Sequence, residues 1–157
     1  MKNYRLRLFS ITLVCLIVAA PTAIRADSVG AATAKLLAQA RRATVQYHDV
    51  NQAIADGYVF VGASAEHGIE YVNFGLVDCS FEPTEPETLR YFARPDGSLQ
   101  LAGVEYVVPM ACTSAPPEGF PGDADEWELE EDLPLWILGA WIWVANPAGV
   151  FADLGGV

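Results

Sequence analysis

Two carboxylates and one histidine lie close together in one strand-like stretch of the chain. Glu66, His67 and Glu70 offer two oxygen ligands and one nitrogen ligand, and Asp78 adds a third carboxylate if the following loop folds back. Such a set can hold a hard or borderline cation. In a strand, however, His67 and Glu70 point to opposite faces, so they share an ion only if the strand starts after Gly68 or bends there. The alternative is a solvated or hydrogen-bonded strand end.

A second candidate site pairs Glu70 with Glu105, because each stands within an apolar, strand-like sequence. If the two strands pair and both side chains face one pocket, they share a proton and one pKa rises, which suits acid–base catalysis. If both face solvent on the open side of an antiparallel sheet, they have no such role. The candidate ligand-binding residues are Glu70, Tyr71, Asn73 and Glu105, and Glu70 with Glu105 forms the alternative catalytic pair.

The sequence contains no established catalytic or cofactor motif. A nucleophile elbow, a phosphate-binding Gly loop, Cys-x-x-Cys and His-Glu-x-x-His are all missing. A catalytic triad would have to be built around His48 or His67, and nothing near either residue supports one. The acidic run 123–132 lacks the ligand pattern of an EF-hand loop, so it is either a solvated loop or a weak calcium binder. We therefore expect no cofactor, with a divalent cation as the weaker alternative.

The N-terminus has the pattern of a secretory signal peptide, residues 1–26. Lys2, Arg5 and Arg7 precede an apolar run that is too short to cross a bilayer, and small residues ending at Ala26 suit a cleavage site. An uncleaved N-terminal anchor is the alternative. We expect a secreted protein, extracellular or periplasmic, with no membrane insertion after signal cleavage.

The chain is strongly acidic, with a formal charge of −11 over 157 residues. Loss of the signal peptide removes four of the nine basic residues and none of the 20 acidic ones, which leaves −15. Negative charge repels phosphate backbones and anionic lipid head groups, so nucleic acid and membrane surfaces are excluded as partners. A small molecule, a cation or an extracellular protein remains open. Residues 27–157 suit a single domain.

Cys79 and Cys112 are the only cysteines beyond the signal segment. In an oxidising compartment two such thiols usually pair, and a bridge would contribute about 3 to 4 kcal/mol. Two free thiols are the alternative.

Hydrophobic periodicity predicts the elements that must position these side chains. Apolar residues at steps of three and four from Leu36 to Ile54 indicate an amphipathic helix. Asp49 and Gln52 have the form of a capping box, so the helix is expected to break near His48 and restart. The expected strands are 58–61, 69–74, 89–93, 99–108 and 136–144, the last of them Trp-rich and buried on both faces.

Turn and loop signals complete the predicted fold. Pro95-Asp96-Gly97 is a turn signal that joins two strands as a hairpin, and residues 114–132 form an acidic Pro/Gly-rich surface loop. The sequence therefore predicts an α+β fold. Its N-terminal helix, whole or broken in two, packs on one antiparallel, twisted sheet of about four or five strands.

Five stretches in this order carry a family resemblance: 53–58, 68–73, 86–91, 103–106 and 136–147. With them the chain resembles an uncharacterised family of small secreted bacterial proteins that have a Gly-x-His-Tyr-Val-Asn-like strand and a Trp-rich C-terminal strand ending in Asn-Pro. The resemblance implies a helical first half followed by strands, and it implies no activity. This chain carries Glu70 and Gly139 where that family has histidines, so a function that depends on both histidines is lost or altered here.

Two functions remain from different classes. The first is a non-catalytic extracellular binding protein that takes its ligand in the cleft between helix and sheet, which the excess acid and the lack of catalytic motifs favour. The second is an enzyme that uses Glu70 and Glu105 as acid and base. Whether these two side chains converge decides between them.

Overall fold

The computed structural model describes residues 30–64, 67–130 and 132–152. Within these ranges the chain is a mixed α+β fold, in which three short helical segments precede an antiparallel sheet. The helical segments are α1 (Ala31–Thr44), a 3-10 helix (Val45–His48) and α2 (Val50–Ala55). The strands are β1 (Val59–Ser64), β2 (Gly68–Val72), β3 (Thr88–Ala93), β4 (Leu99–Pro109), β5 (Glu128–Glu130) and β6 (Leu135–Ala140).

The sheet has six strands in the order β1-β2-β3-β4-β6-β5, so the prediction of four or five strands is wrong by one. The additional strand is β5, which lies inside the segment predicted as a surface loop. A three-residue strand with two glutamates carries no readable period, and its pairing with β6 comes from the tertiary fold. The same segment also contributes Phe120 and Trp127 to the core, where both contact the ring of Phe81.

The predicted break in the helix is confirmed. A 3-10 turn ends at His48, and α2 restarts with Asp49 as its N-cap, whose carboxylate accepts a hydrogen bond from the backbone N–H of Asn51. Gln52 does not complete a capping box, because its side-chain amide donates to Asp56. The buried stripe of α1 is displaced by about one residue from the predicted one, and it consists of Thr33, Leu37, Ala40 and Thr44.

The helices cover one face of the sheet, and the main core lies between the two layers. The core contains side chains from β3, β4 and β6 that are at most 1% exposed: Leu89, Tyr91, Val104, Tyr106 and Leu138. Hydrogen bonds link the helices to the sheet and to the segment that follows β6. The Tyr91 hydroxyl donates to the Tyr47 carbonyl at 2.7 Å, and the indole N–H of Trp143 donates to Thr44 Oγ1 at 3.1 Å. Buried side chains therefore occupy the interface in which the sequence predicted a ligand cleft.

The hairpin between β3 and β4 forms as predicted. Gly97 takes a φ of +82°, and Asp96 accepts hydrogen bonds from the backbone and hydroxyl of Ser98. The Trp-rich strand β6 is shorter than predicted, because the chain leaves the sheet after Ala140. The predicted signal peptide lies outside the described residues. Within those residues, no helix has the length and apolar character that crossing a membrane requires.

Candidate functional site

Strand register brings Glu70 and Glu105 to the same face of the sheet, the one turned away from the helices. Glu70 on β2 pairs with Arg90 on β3, and Glu105 on β4 pairs with Thr88 on β3. Paired residues of an antiparallel sheet share a face, and positions two apart on one strand do so as well. All four side chains therefore lie on what we call the open face of the sheet.

Arg90 stands between the two glutamates and contacts both. Its Nη2 donates to Glu105 Oε2, while its Nε lies 3.5 Å from Glu70 Oε1. The guanidinium also lies over the ring of Trp141, 5.6 Å from the ring centre, within cation–π range. The two carboxylates thus converge on one guanidinium, and this cation separates them, whereas the alternative catalytic pair required a shared proton.

Gly139 makes room for this guanidinium. It is the register partner of Glu105 on β6, and a Cβ at this position would lie 3.0 Å from Arg90 Nη1. Glu70 and Gly139 therefore lie on either side of Arg90. Neither position was expected to adjoin an arginine.

Burial raises the pKa of the Glu105 carboxyl, and the Arg90 guanidinium beside it opposes that rise. The negative charge of Glu70 also raises the pKa of Glu105. Glu105 is 7% exposed and Arg90 is 5% exposed, so the ion pair lies in a poorly solvated part of the sheet. A buried pair of this kind depends on both partners, because either charge alone would be costly to bury.

A bend at the start of β2 brings His67 to the same place. Gly68 has a φ of +79°, and the strand begins there, which is the condition under which His67 and Glu70 were expected to share a face. His67 Nδ1 lies 3.9 Å from Glu70 Oε1. A Cβ on Gly68 would lie 2.6 Å from the carbonyl oxygen of Tyr91, so both the backbone angle and the space require glycine.

The open face carries a groove with a volume of about 570 Å³, which we call the open-face groove. Its polar lining consists of His67, Glu70, Thr88, Glu105 and Glu130. Its apolar lining consists of Val61, Val72, Phe74, Val77, Val107, Leu133, Leu135 and Ile137. The groove therefore combines an apolar wall with three carboxylates.

The other candidate residues do not reach the groove. Tyr71 points to the helix-covered face, where its ring packs edge-on against Phe60 and Tyr91. The Asn73 side chain is used within the chain, since its amide donates to the carbonyl of Asp56 and its oxygen accepts from Gly75. Of the four candidate ligand-binding residues, only Glu70 and Glu105 come together.

The predicted cation site is assembled only in part. Glu66 lies outside the described residues, and Asp78 accepts hydrogen bonds from the backbone and hydroxyl of Ser80. The described residues contain no group of three or more His, Cys, Asp and Glu side chains arranged to hold a metal ion. His67 and Glu70 remain adjacent at the mouth of the groove.

Cys79 and Cys112 lie at disulfide distance. The sulfur atoms of Cys79 and Cys112 are 2.03 Å apart, and their Cα atoms are 5.4 Å apart. The bridge would link the segment after β2 to the segment after β4, and both of these strands contribute residues to the groove.

Three polar or charged positions at or beside the groove were missed by reading the sequence alone. Arg90 and Thr88 share the groove-facing side of β3. They are two positions apart with the apolar Leu89 between them, and this alternation could have indicated that both lie on the face opposite the core. The third is Glu87, which is 3% exposed and whose carboxylate accepts a hydrogen bond from the backbone N–H of Val107 at 3.0 Å. No local pattern marks Glu87 as buried, because it follows a Pro- and acid-rich loop.

Comparison of the chain with protein-family models, with curated proteins and with solved structures found no match. The function is therefore argued from the geometry of the open face.

Proposed function

We propose that this protein is a non-catalytic binding protein and that the open-face groove is its ligand site. The observation that carries the proposal is the groove itself. Its volume of about 570 Å³ falls within the roughly 300 to 1,000 Å³ of small-molecule sites. It combines an apolar wall with a few convergent polar groups, which is the usual composition of such sites.

Exposed apolar side chains at the rim support the same function. Phe74 is 66% exposed, Leu133 is 59% exposed and Val61 is 46% exposed, and all three line the groove. Contiguous exposed apolar surface with a polar boundary is typical of an interaction site. A small molecule seated in the groove would cover this surface.

Binding is favoured over catalysis by the position of Arg90. An acid–base pair needs two carboxyl groups whose pKa values are driven apart and which both reach the substrate. Here one guanidinium contacts Glu70 and Glu105 together, and its charge favours the ionised form of a neighbouring carboxylate. Arg90 is thereby suited to holding the two carboxylates in place, and it opposes the rise that burial causes in the pKa of Glu105.

We also propose that the protein is exported and that it belongs to the family it resembles. The N-terminal segment has the composition of a signal peptide. A cysteine pair at disulfide distance is compatible with an oxidising compartment. Its partner there would be a small molecule, since the groove has the size of a ligand site.

The site can be tested by mapping where an apolar probe binds. The protein comprising residues 27–157 is titrated with Nile red and with decylamine below its micellar concentration, while methyl NMR follows Val72, Val107 and Ile137. We expect shifts at these groove methyls, and we expect Val72→Trp to abolish them by filling the groove. Val45→Trp is the control, because Val45 is 53% exposed on the helical layer. Shifts elsewhere, or no binding of either probe, would contradict the proposed function.

A further inference from the structure

We infer that the ligand of the open-face groove is an amphiphilic cation, an ammonium group attached to an apolar body. This inference rests on the proposed binding function and specifies its ligand class. It is carried by two independent observations, the charge of the groove and an unpartnered hydroxyl in its floor.

The first observation is the excess of negative charge. Glu70, Glu105 and Glu130 all line the groove, and none of its described lining residues is a lysine or an arginine. Arg90 adjoins the floor and contacts Glu70 and Glu105, so one fixed positive charge stands against three carboxylates. Such a site attracts a cation and repels an anion, and its half-enclosed apolar walls strengthen the effect by lowering the local dielectric.

The second observation is the side chain of Thr88. It is 1% exposed and lines the groove, and within the described part of the chain its hydroxyl has no hydrogen-bond partner. Buried polar groups are normally paired, so an unpaired one at the floor of a groove indicates where a ligand atom binds. Thr88 is the register partner of Glu105, which puts a hydroxyl oxygen and a carboxylate side by side.

These groups match the donors of an ammonium ion. An alkylammonium has several N–H donors and no acceptor, as the lysine side chain does. One N–H can reach the Thr88 hydroxyl oxygen while others reach the carboxylates of Glu105 and Glu70. The apolar body of the ligand would then extend along Val72, Val107 and Ile137 towards the exposed rim.

A set of matched ten-carbon probes separates this ligand class from the others. Decylamine, decanoate and 1-decanol, each below its micellar concentration, are titrated against residues 27–157 by calorimetry and by NMR of the groove methyls. We expect decylamine to bind at least about tenfold more tightly than 1-decanol, as befits one charge-assisted contact. Decanoate should bind more weakly than 1-decanol because of repulsion.

Variants locate the preference at the proposed groups. Glu70→Gln should weaken decylamine binding by about tenfold and leave 1-decanol binding unchanged. Glu130→Gln is the second variant, in case the first does not fold. Asp123→Asn is the control, because it removes the same charge from an exposed position outside the groove. Thr88→Val should weaken decylamine binding without lowering the melting temperature, since its hydroxyl has no partner within the described chain.

Four results would overturn the inference. Equal affinity for decylamine and 1-decanol would leave an uncharged apolar site, and tighter binding of decanoate would reverse the sign of the preference. Displacement of decylamine by calcium chloride alone would indicate a metal site. An equal effect of Asp123→Asn and Glu70→Gln would indicate non-specific attraction to an acidic protein. In the first three cases the groove still binds a ligand, whereas absence of all probes from the groove methyls would refute the proposed function itself.

Discussion

Arg90 on β3 donates a hydrogen bond to the carboxylate of Glu105 on β4. The two residues are not direct register partners, because Arg90 pairs with Gly103, two positions before Glu105. The same guanidinium lies 3.5 Å from Glu70 on β2. Three adjacent strands are thereby connected through one side chain. Because this connection is buried beside Trp141, its charges must compensate one another for the sheet to remain stable.

Removal of Arg90 should therefore destabilise the protein strongly. Arg90→Met leaves Glu105 buried without its partner, and we expect the free energy of unfolding to fall by about 3 kcal/mol at neutral pH. The loss should be smaller at pH 5 than at pH 8. Without Arg90 the raised pKa of Glu105 rises further, so its burial costs least when it is protonated at low pH and more as pH rises. Urea unfolding at the two pH values measures both effects.

Two further variants check the cause of this loss. The double variant Arg90→Met with Glu105→Gln removes the unpaired charge and should recover much of the stability. Arg94→Met changes an exposed arginine in the hairpin turn and should shift the free energy of unfolding by no more than about 0.5 kcal/mol. A single Arg90 variant as stable as wild type would mean that the ion pair contributes nothing.

Gly68 should not accept a side chain. Gly68→Ala places a Cβ 2.6 Å from the Tyr91 carbonyl oxygen at a φ of +79°, so we expect a loss of about 2 kcal/mol or more and a shift of His67 away from Glu70. The matched control is Gly62→Ala on the neighbouring strand, where the φ is not positive and nothing lies within 4 Å. Thermal unfolding gives the melting temperatures of the two variants, and equal values would contradict the claim that position 68 requires glycine.

Much of the fold could be predicted because local signals and tertiary packing agree. The hairpin of β3 and β4 has strong strand periods on both sides of a Pro-Asp-Gly turn, and the helix break carries its own N-cap at Asp49. The alternation of β2 and β4 correctly assigned Glu70 and Glu105 to strands. It could not give their face relative to the helices, because both faces of β4 are buried.

The arrangement of the site could not be predicted, because it depends on strand order and register. Arg90 meets two glutamates only because β3 lies between β2 and β4, and no spacing in the sequence encodes that order. Tyr71 looked as suitable a ligand as Glu70, yet a period of two puts the two side chains on opposite faces. A missed three-residue strand at β5 likewise hid the position of Glu130 beside the groove.

The bridge between Cys79 and Cys112 should be present in protein that folds in an oxidising compartment. Mass analysis is expected to show a gain of two hydrogens on reduction, and alkylation before reduction should modify neither residue. The bridge closes a loop with a sequence separation of 33 residues, so its replacement by two alanines should lower the free energy of unfolding by about 3 to 4 kcal/mol. Two thiols that are freely alkylated in the unreduced protein would end this prediction.

Glu87 forms the other buried carboxylate contact of the sheet. β3 begins at Thr88, which pairs with Glu105, so Val107 on β4 lies beyond the paired part of β3. The Glu87 carboxylate accepts the hydrogen bond from the backbone N–H of Val107. Burial raises the pKa of Glu87 to about 7, although the hydrogen bond from Val107 opposes the rise. The residue thus titrates near neutral pH in direct contact with Val107, which belongs to the apolar wall of the open-face groove.

Glu87 should make the protein less stable as pH rises. A carboxyl group whose pKa is higher in the folded state binds its proton more tightly there, so its contribution is greatest below about pH 4.5 and is lost as pH rises through about 7. Glu87→Gln keeps an acceptor for Val107 and cannot ionise. We expect it to match wild type at pH 4 and to exceed it at pH 8 by on the order of 2 kcal/mol in the free energy of unfolding. Urea unfolding at both pH values tests this, with Glu85→Gln as the matched control because Glu85 is exposed. A difference between Glu87→Gln and wild type that stays constant from pH 4 to pH 8 would show that folding does not raise the pKa of Glu87.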